Sequence, residues 1–204
     1  MVTKTRVYLA SRSPRRRQLL EQIGVAYELI DVEIDERWDG QEPAREHALR
    51  LALAKAQAAL DKRHDADIPV LAADTVVTLD DEILGQPQNR EEGLVMLAKL
   101  SGRCHTVITA IALASTKERE PAIAVSTSRV YFRPLSETER SAYWETGEPL
   151  GKAGGYAIQG RAAMFIERIE GSYSGVMGLP LFETAELLQK YSLTPLGKLL
   201  SKAG

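Results

Sequence analysis

The sequence predicts an α/β fold, a mixed central sheet flanked by helices. Two observations lead there. Helical and strand-like segments alternate over the first half of the chain, the pattern of βαβ units. Two long apolar runs, 107–114 and 122–132, then follow one another and read as antiparallel strands. With 204 residues, 44% of them hydrophobic, the chain is expected to be one unit over 1–204, a large domain or two closely joined lobes.

Residues 7–10, Val-Tyr-Leu-Ala, read as a buried first strand. Pro14 suits the first turn of a helix because its missing N–H is not needed there, and Gly24 ends that helix after 23. Leu19, Leu20 and Ile23 supply its apolar face. A second strand over 27–32 runs into the acidic stretch Asp31, Glu33, Asp35 and Glu36. The span 43–60 reads as a helix whose stripe is Leu49, Leu53, Ala56 and Leu60, with Lys55 off that stripe. A short strand over 69–73 ends at Asp74-Thr75, and 76–79 and 82–84 form a hairpin around Asp80-Asp81. A helix over 90–100 runs through Leu94, Leu97 and Ala98. Ser136 opens another with Glu139 three residues on, the capping-box spacing. Five glycines between 147 and 160 mark backbone that bends tightly or approaches a ligand. A strand over 163–169 and a helix over 180–189 close the fold, and the Lys/Gly/Ser tail is expected to fray.

A net charge of −2 gives no basic field for a nucleic acid polymer, so anion binding must come from local clusters. A single cysteine, Cys104, can form neither an internal disulfide nor a structural zinc site, which suits a reducing compartment. No apolar stretch is long enough for a membrane span and the N-terminus has no secretory pattern, so a cytoplasmic location is expected.

The most informative segment is Ala10-Ser11-Arg12-Ser13-Pro14-Arg15-Arg16-Arg17. Free N–H groups and the helix dipole attract an anion to a helix start, whereas three arginines there oppose the dipole. A phosphate among them reverses that penalty, gripped by paired guanidinium hydrogen bonds. The plainer alternative is a solvated basic turn. Lys55 and Lys152 add further phosphate-binding charge, while Glu36 and Asp74 suit a hard divalent cation. Asp74 is expected at a strand end, where α/β folds place their sites. The plainer readings are a turn or cap aspartate for Asp74 and a solvated acidic face for Glu36. Ser11 and Ser13 are candidate nucleophiles and His47, His64 and His105 candidate bases. No Gly-x-Ser-x-Gly elbow or Gly-x4-Gly-Lys-Ser/Thr loop is present, so activated water is the simpler nucleophile.

Taken together, LASRSPRR at 9–16, AADTVV at 72–77, LSGRCHTV at 100–107, GEPLGKAGGYAIQG at 147–160 and GSYSGVMGLP at 171–180 resemble the Maf nucleoside triphosphate pyrophosphatases. The resemblance spans nearly the whole chain. It implies two lobes around a central cleft, an architecture shared with the inosine triphosphatases. It also implies hydrolysis of a nucleoside triphosphate to monophosphate and pyrophosphate with a divalent metal cation (Mg, Mn or Co). Ser11, Ser13, Arg15 and Arg16 match the family's phosphate loop, Lys55 a substrate lysine and Gln159 a glutamine of the glycine-rich block. Glu36 matches an acidic position, and Asp74 the general base or metal partner. The AADT and KAGGYAIQG blocks look like the branch that acts on dTTP and UTP, with CTP and modified pyrimidine nucleotides as further candidates.

Three positions depart from the family pattern. Gln86 stands where a phosphate-contacting lysine is usual, Gly151 replaces an aspartate, and Ala157 stands where glycine is common. Gln86 leaves Arg12 as a candidate compensating charge. It is also the one feature favouring an alternative: a weakly active or non-catalytic nucleotide-binding regulator of septum formation. A pyrophosphatase for damaged purine triphosphates is a second rival. The expected partners are the nucleoside triphosphate and, at most, a second copy as a homodimer.

Overall fold

A computed structural model describes residues 6–195, and the expected fraying tail lies outside the described residues. Seven described strands form one sheet: β1 (Arg6–Ala10), β2 (Ala26–Leu29), β3 (Val70–Leu79), β4 (Glu82–Leu84), β5 (Cys104–Ala114), β6 (Ala122–Phe132) and β7 (Ile166–Glu170). Their order is β2-β1-β3-β5-β6-β7, with β4 also beside β3. β1 lies parallel to β2 and β3, and the remaining pairs are antiparallel. Helices α1 (Pro14–Gln22), α2 (Ala44–Lys62), α3 (Arg90–Leu100), α4 (Glu137–Trp144), α5 (Tyr173–Met177) and α6 (Leu181–Lys190) flank it. None of the described helices is long and apolar enough to cross a membrane.

The long strands β3, β5 and β6 run through two lobes. In one, α2 covers one face through Ala48, Ala52, Ala56 and Ala59, and α1 and α6 cover the other through Leu19, Leu20, Leu187 and Leu188. In the second lobe, α3, α4 and two 3-10 turns (Ala153–Gly155 and Arg161–Phe165) enclose Leu97, Phe132, Tyr143, Tyr156 and Phe165.

Several elements follow the sequence reading closely. The hairpin turns at Asp80 and Asp81, both with positive φ (50° and 65°), the geometry of the turn that matches strand twist. The capping box forms in full: Ser136 Oγ accepts from Glu139 N–H, and Glu139 Oε2 accepts from Ser136 N–H.

Others correct it. The buried stripe of α2 is the alanine row, joined by Leu51, whereas Leu49, Leu53 and Leu60 flank the core partly buried. The helix lies over Val70, Ala72, Ala110, Ala112 and Ala114, and close approach to that small-residue surface favours alanine at the contact. In α3, Gly93 is buried because the Trp144 ring lies where a Cβ at 93 would sit, and Ala98 is exposed. The expected strand over 163–169 begins only at Ile166, after a 3-10 turn. The second strand stops at Leu29. The sequence reading left out α5, which carries an N-cap bond from Gly175 N–H to Ser172 Oγ.

The correction that matters most concerns Asp74. It lies in the middle of a ten-residue strand, not at a strand end. One edge of β3 pairs with β5 from Val70 to Thr78. The other pairs with β1 only over Val70–Ala72 and with β4 only over Val77–Leu79. The edge is therefore open between them, where the chain leaves β1 as the loop over residues 11–13. Asp74 sits at this gap within the sheet.

Candidate active site

A cleft of about 500 Å³ opens at that gap. Every site residue expected from sequence lines it: Ser11, Ser13, Arg15, Arg16, Glu36, Lys55, Asp74, Gln86, Lys152 and Gln159.

Strand alternation sorts the groups around β3. Side chains at 70, 72, 74 and 76 face α2, and those at 71, 73 and 75 face α1. Asp74 therefore meets Lys55, which lies on the same sheet-facing side of α2 as Ala48, Ala52 and Ala59. Its ammonium is 2.7 Å from Asp74 Oδ1 and 2.7 Å from Glu36 Oε1. Lys55 and Asp74 are well buried, with side chains 13% and 11% exposed, while Glu36 comes from the loop side at 56%. One cation thus holds two carboxylates in register.

Thr75, on the opposite face, belongs to a directional relay. Thr109 Oγ1 donates its only proton to Gly175 O at 2.8 Å. Thr75 must then donate to Thr109 across 3.0 Å, which leaves Thr75 Oγ1 to accept from Arg16 Nη2 at 3.1 Å. Arg16 also donates from Nε to Gly178 O at 2.7 Å and from Nη1 to Ser11 Oγ at 3.2 Å. Ser11 Oγ in turn accepts from Ser13 N–H at 3.1 Å. Arg16 is thereby locked between β3, α5 and the loop after β1. Three of its five N–H groups are used and two remain. Burial lowers its pKa, opposed by the charge of Asp74.

Arg15 differs. Its guanidinium has no hydrogen-bond or ion-pair partner among the described residues, and burial lowers its pKa. Lys152 lies close enough that burial and then the Arg15 charge lower its own pKa, and its only described bond is to Leu150 O at 2.9 Å. Two partly buried cations therefore line one cleft with neither in an ion pair among the described residues, the Glu148 charge only partly offsetting that of Arg15 at Lys152. The first turn of α1 carries no acidic residue, and the Ser13 side chain makes no cap bond, so its N–H groups have no side-chain acceptor. Like-charged groups around an uncapped helix start form an anion cradle.

Arg12 is placed otherwise than a compensating charge for Gln86 requires. It is bound at the cleft rim to Asp31 at 2.5 and 2.9 Å and reaches Glu33 at 3.4 Å. Gln86 is exposed at the cleft wall, and only its backbone carbonyl is engaged, by Gln88 Nε2. Neither serine has a histidine partner among the described residues. His64 is exposed, and His47 Nδ1 lies 2.9 Å from Glu42. His105 is buried, bonded through Nε2 to Tyr156 Oη at 2.8 Å and packed edge-on to Phe132.

Sequence reasoning missed Thr75, Thr109 and the Gly178 carbonyl. Thr75 sits within a quoted block and Gly178 within another, but only the fold brings residues 16, 75, 109 and 178 together.

The Maf-like protein family matches residues 6–191, covering both the loop after β1 and the glycine-rich segment. The chain belongs to that family. Among curated relatives it is 52% identical over 191 residues to the dTTP/UTP pyrophosphatase of Alkalilimnicola ehrlichii, covering 92% of this chain and 93% of that one. It is 55% identical over 188 residues to the dTTP/UTP pyrophosphatase of Methylobacillus flagellatus, covering 92% and 94%. It is 53% identical over 192 residues to that of Burkholderia pseudomallei, covering 90% and 92%. Among solved structures, the Staphylococcus aureus Ham1 protein overlays 62% of this Maf-like chain and 71% of its own at a TM-score of 0.43 and 18% identity, too loosely to bear on function.

Proposed function

We propose that this Maf-like chain, as one catalytic unit in the cytoplasm, hydrolyses dTTP and UTP to the monophosphate and pyrophosphate. The observation that carries the reading is the pairing of two arrangements in one cleft. An unsatisfied cationic cradle lies on one side, and a buried carboxylate held by Lys55 lies beside it. A triphosphate satisfies the first, and an attacking water needs the second.

Arg15, Lys152, the free N–H groups of α1 and the remaining donors of Arg16 bind the phosphates. The locked relay through Thr75 fixes Arg16, so its donors are already aimed when charge develops. Asp74 orients a water toward the α-phosphorus and takes its proton. The water oxygen bonds to that phosphorus as the bond to the bridging oxygen breaks, and pyrophosphate leaves with the electron pair. Such a displacement asks the protein for position and charge more than for covalent chemistry.

Glu36 and Asp74 are the residues that would hold a divalent cation. They fit one beside Lys55: its ammonium contacts Asp74 Oδ1 and Glu36 Oε1, the second oxygen of each carboxylate makes no described hydrogen bond to it, and magnesium takes few carboxylates and completes its shell with water and phosphate oxygens. When bound, the cation neutralises triphosphate charge and acidifies water.

The test is pyrophosphate release across dTTP, UTP, CTP, GTP and ITP, with Mg, Mn or Co and with chelator. Metal-dependent conversion of dTTP and UTP to monophosphate is expected. Orthophosphate as the primary product would mean that a different bond is cleaved, and would overturn the reading.

A further inference from the structure

Beyond the charged groups, the cleft wall is uncharged: Val77, Tyr156, Ala157, Ile158, Val176 and Met177, with Gln159 beside them. Such a wall suits the uncharged part of a nucleotide, its base and sugar. Three polar groups there have no partner among the described residues: the backbone N–H of Ile158, that of Gln159, and the Gln159 carboxamide. They offer donors and an acceptor to a base edge.

These groups lie on a turn outside any helix or strand, closed by Gly160 N–H to Ala157 O at 3.0 Å. No sheet ladder fixes it; α4 and the residues after it do. Tyr143 Oη accepts from Ala157 N–H at 3.2 Å and donates to Glu148 Oε1 at 2.6 Å. Glu148 Oε2 accepts from Arg161 N–H at 3.0 Å, and Oε1 from Ala162 N–H at 3.3 Å. Two side chains thus grip the turn at both ends, leaving Ile158 and Gln159 between the grips. Gly160 lies so close to the Glu148 carboxylate that a Cβ there would overlap it. The Tyr143 ring is itself buried, edge-on to Phe165 at 5.2 Å.

We propose that Tyr143 and Glu148 are positioning residues that set the base-reading turn and so determine nucleobase selection, leaving the phosphoryl chemistry untouched. The inference deepens the pyrophosphatase reading and rests on it.

The test compares the parent, Tyr143→Phe and Glu148→Gln on UTP and on a base-free triphosphate, ribose 5-triphosphate. Losing a buried hydrogen bond that aligns the turn should lower kcat/KM for UTP by about tenfold in Tyr143→Phe, mostly through KM. Turnover of the base-free substrate should stay within about twofold, which also reports a folded protein. Glu148→Gln keeps one acceptor oxygen and should shift the ratio in the same direction by less. A parallel fall on both substrates, or an unchanged ratio, overturns the assignment. If Tyr143→Phe does not fold, Glu148→Gln decides alone by the same criterion. The same ratio measured as binding affinity with chelator separates the two ideas. A parent that prefers UTP over the base-free substrate in binding with chelator, yet does not cleave UTP once metal is supplied, defeats the pyrophosphatase reading and leaves the turn testable. A parent with no preference for UTP defeats the turn.

Discussion

Arg15 and Arg16 adjoin in sequence but differ in their bonding, so removing each should separate activity from stability. Arg16→Ala deletes three hydrogen bonds to protein, to Ser11 Oγ, Thr75 Oγ1 and Gly178 O. At about 1 kcal/mol net for each, and more for a charged donor, the loss is about 2–4 kcal/mol. A domain of this size loses about 2–4 °C of Tm per kcal/mol, so Tm should fall by about 5–15 °C. Arg15→Ala deletes no described protein bond and removes a like charge near Lys152, so its Tm should hold or rise slightly. Its activity should nevertheless drop. A charge-assisted bond to phosphate contributes about 1.5–3 kcal/mol, or about 10- to 150-fold in kcat/KM. Arg17→Ala, outside the cleft lining, serves as the control and should match the parent in activity. Pyrophosphate release and thermal melts on the four proteins check this. Full kcat/KM in Arg15→Ala would refute the cradle, and a Tm loss equal to that of Arg16→Ala would refute its unpartnered state.

Asp74→Asn should lower kcat by about a hundredfold or more with an unchanged circular dichroism spectrum, and near-normal turnover would remove Asp74 from the proton-accepting role. Gln86→Lys should raise kcat/KM or leave it unchanged, because Arg12 is held by Asp31 and Glu33 at the rim and does not compete. A loss of activity both in the parent and in an Arg12→Ala background would show that Gln86 has a role of its own. Burial pushes His105 down to about 4 from its ordinary 6.5. Between those values the unfolded chain binds a proton that the folded chain refuses, so stability is full above pH 6.5 and falls as pH drops toward 4, by about 3 kcal/mol in all. Denaturant unfolding at pH 7 and 4.5 should show that loss in the parent and not in His105→Gln; equal losses in both would exclude the histidine.

What was legible in the sequence was local chemistry. A strand, two hydroxyls, a proline and three arginines are contiguous, and their meaning at a helix start follows from the backbone alone. Ser136 and Glu139 likewise carry their capping box within one turn. Errors arose where a distant partner decides. Leucines outweigh alanines in any hydrophobic stripe, yet α2 turns its alanines inward because β3 and β5 present alanines to it. That rotation carries Lys55 toward the sheet. Similarly, Asp74 read as a strand terminator because a lone aspartate inside a strand has no local acceptor or donor to satisfy it, and the satisfying group is nineteen residues away on α2.

The open edge of β3 explains why these charges meet at all. A continuous β1 partner would cover Asp74 and Thr75, and a continuous β4 would close the cleft from the other end. Because β1 ends at Ala10 and β4 begins its pairing only at Val77, the strand keeps its β5 ladder through Asp74 while its other edge faces the loop after β1. Alternation then gives the two neighbouring residues opposite tasks. Asp74 takes the α2 face and Lys55; Thr75 takes the α1 face and, through it, Arg16. Placing a buried carboxylate and an anchor for Arg16 on consecutive residues of a rigid strand fixes their separation more tightly than two loops could. Shifting β3 by one residue against β5 would exchange the two faces and dismantle both arrangements together.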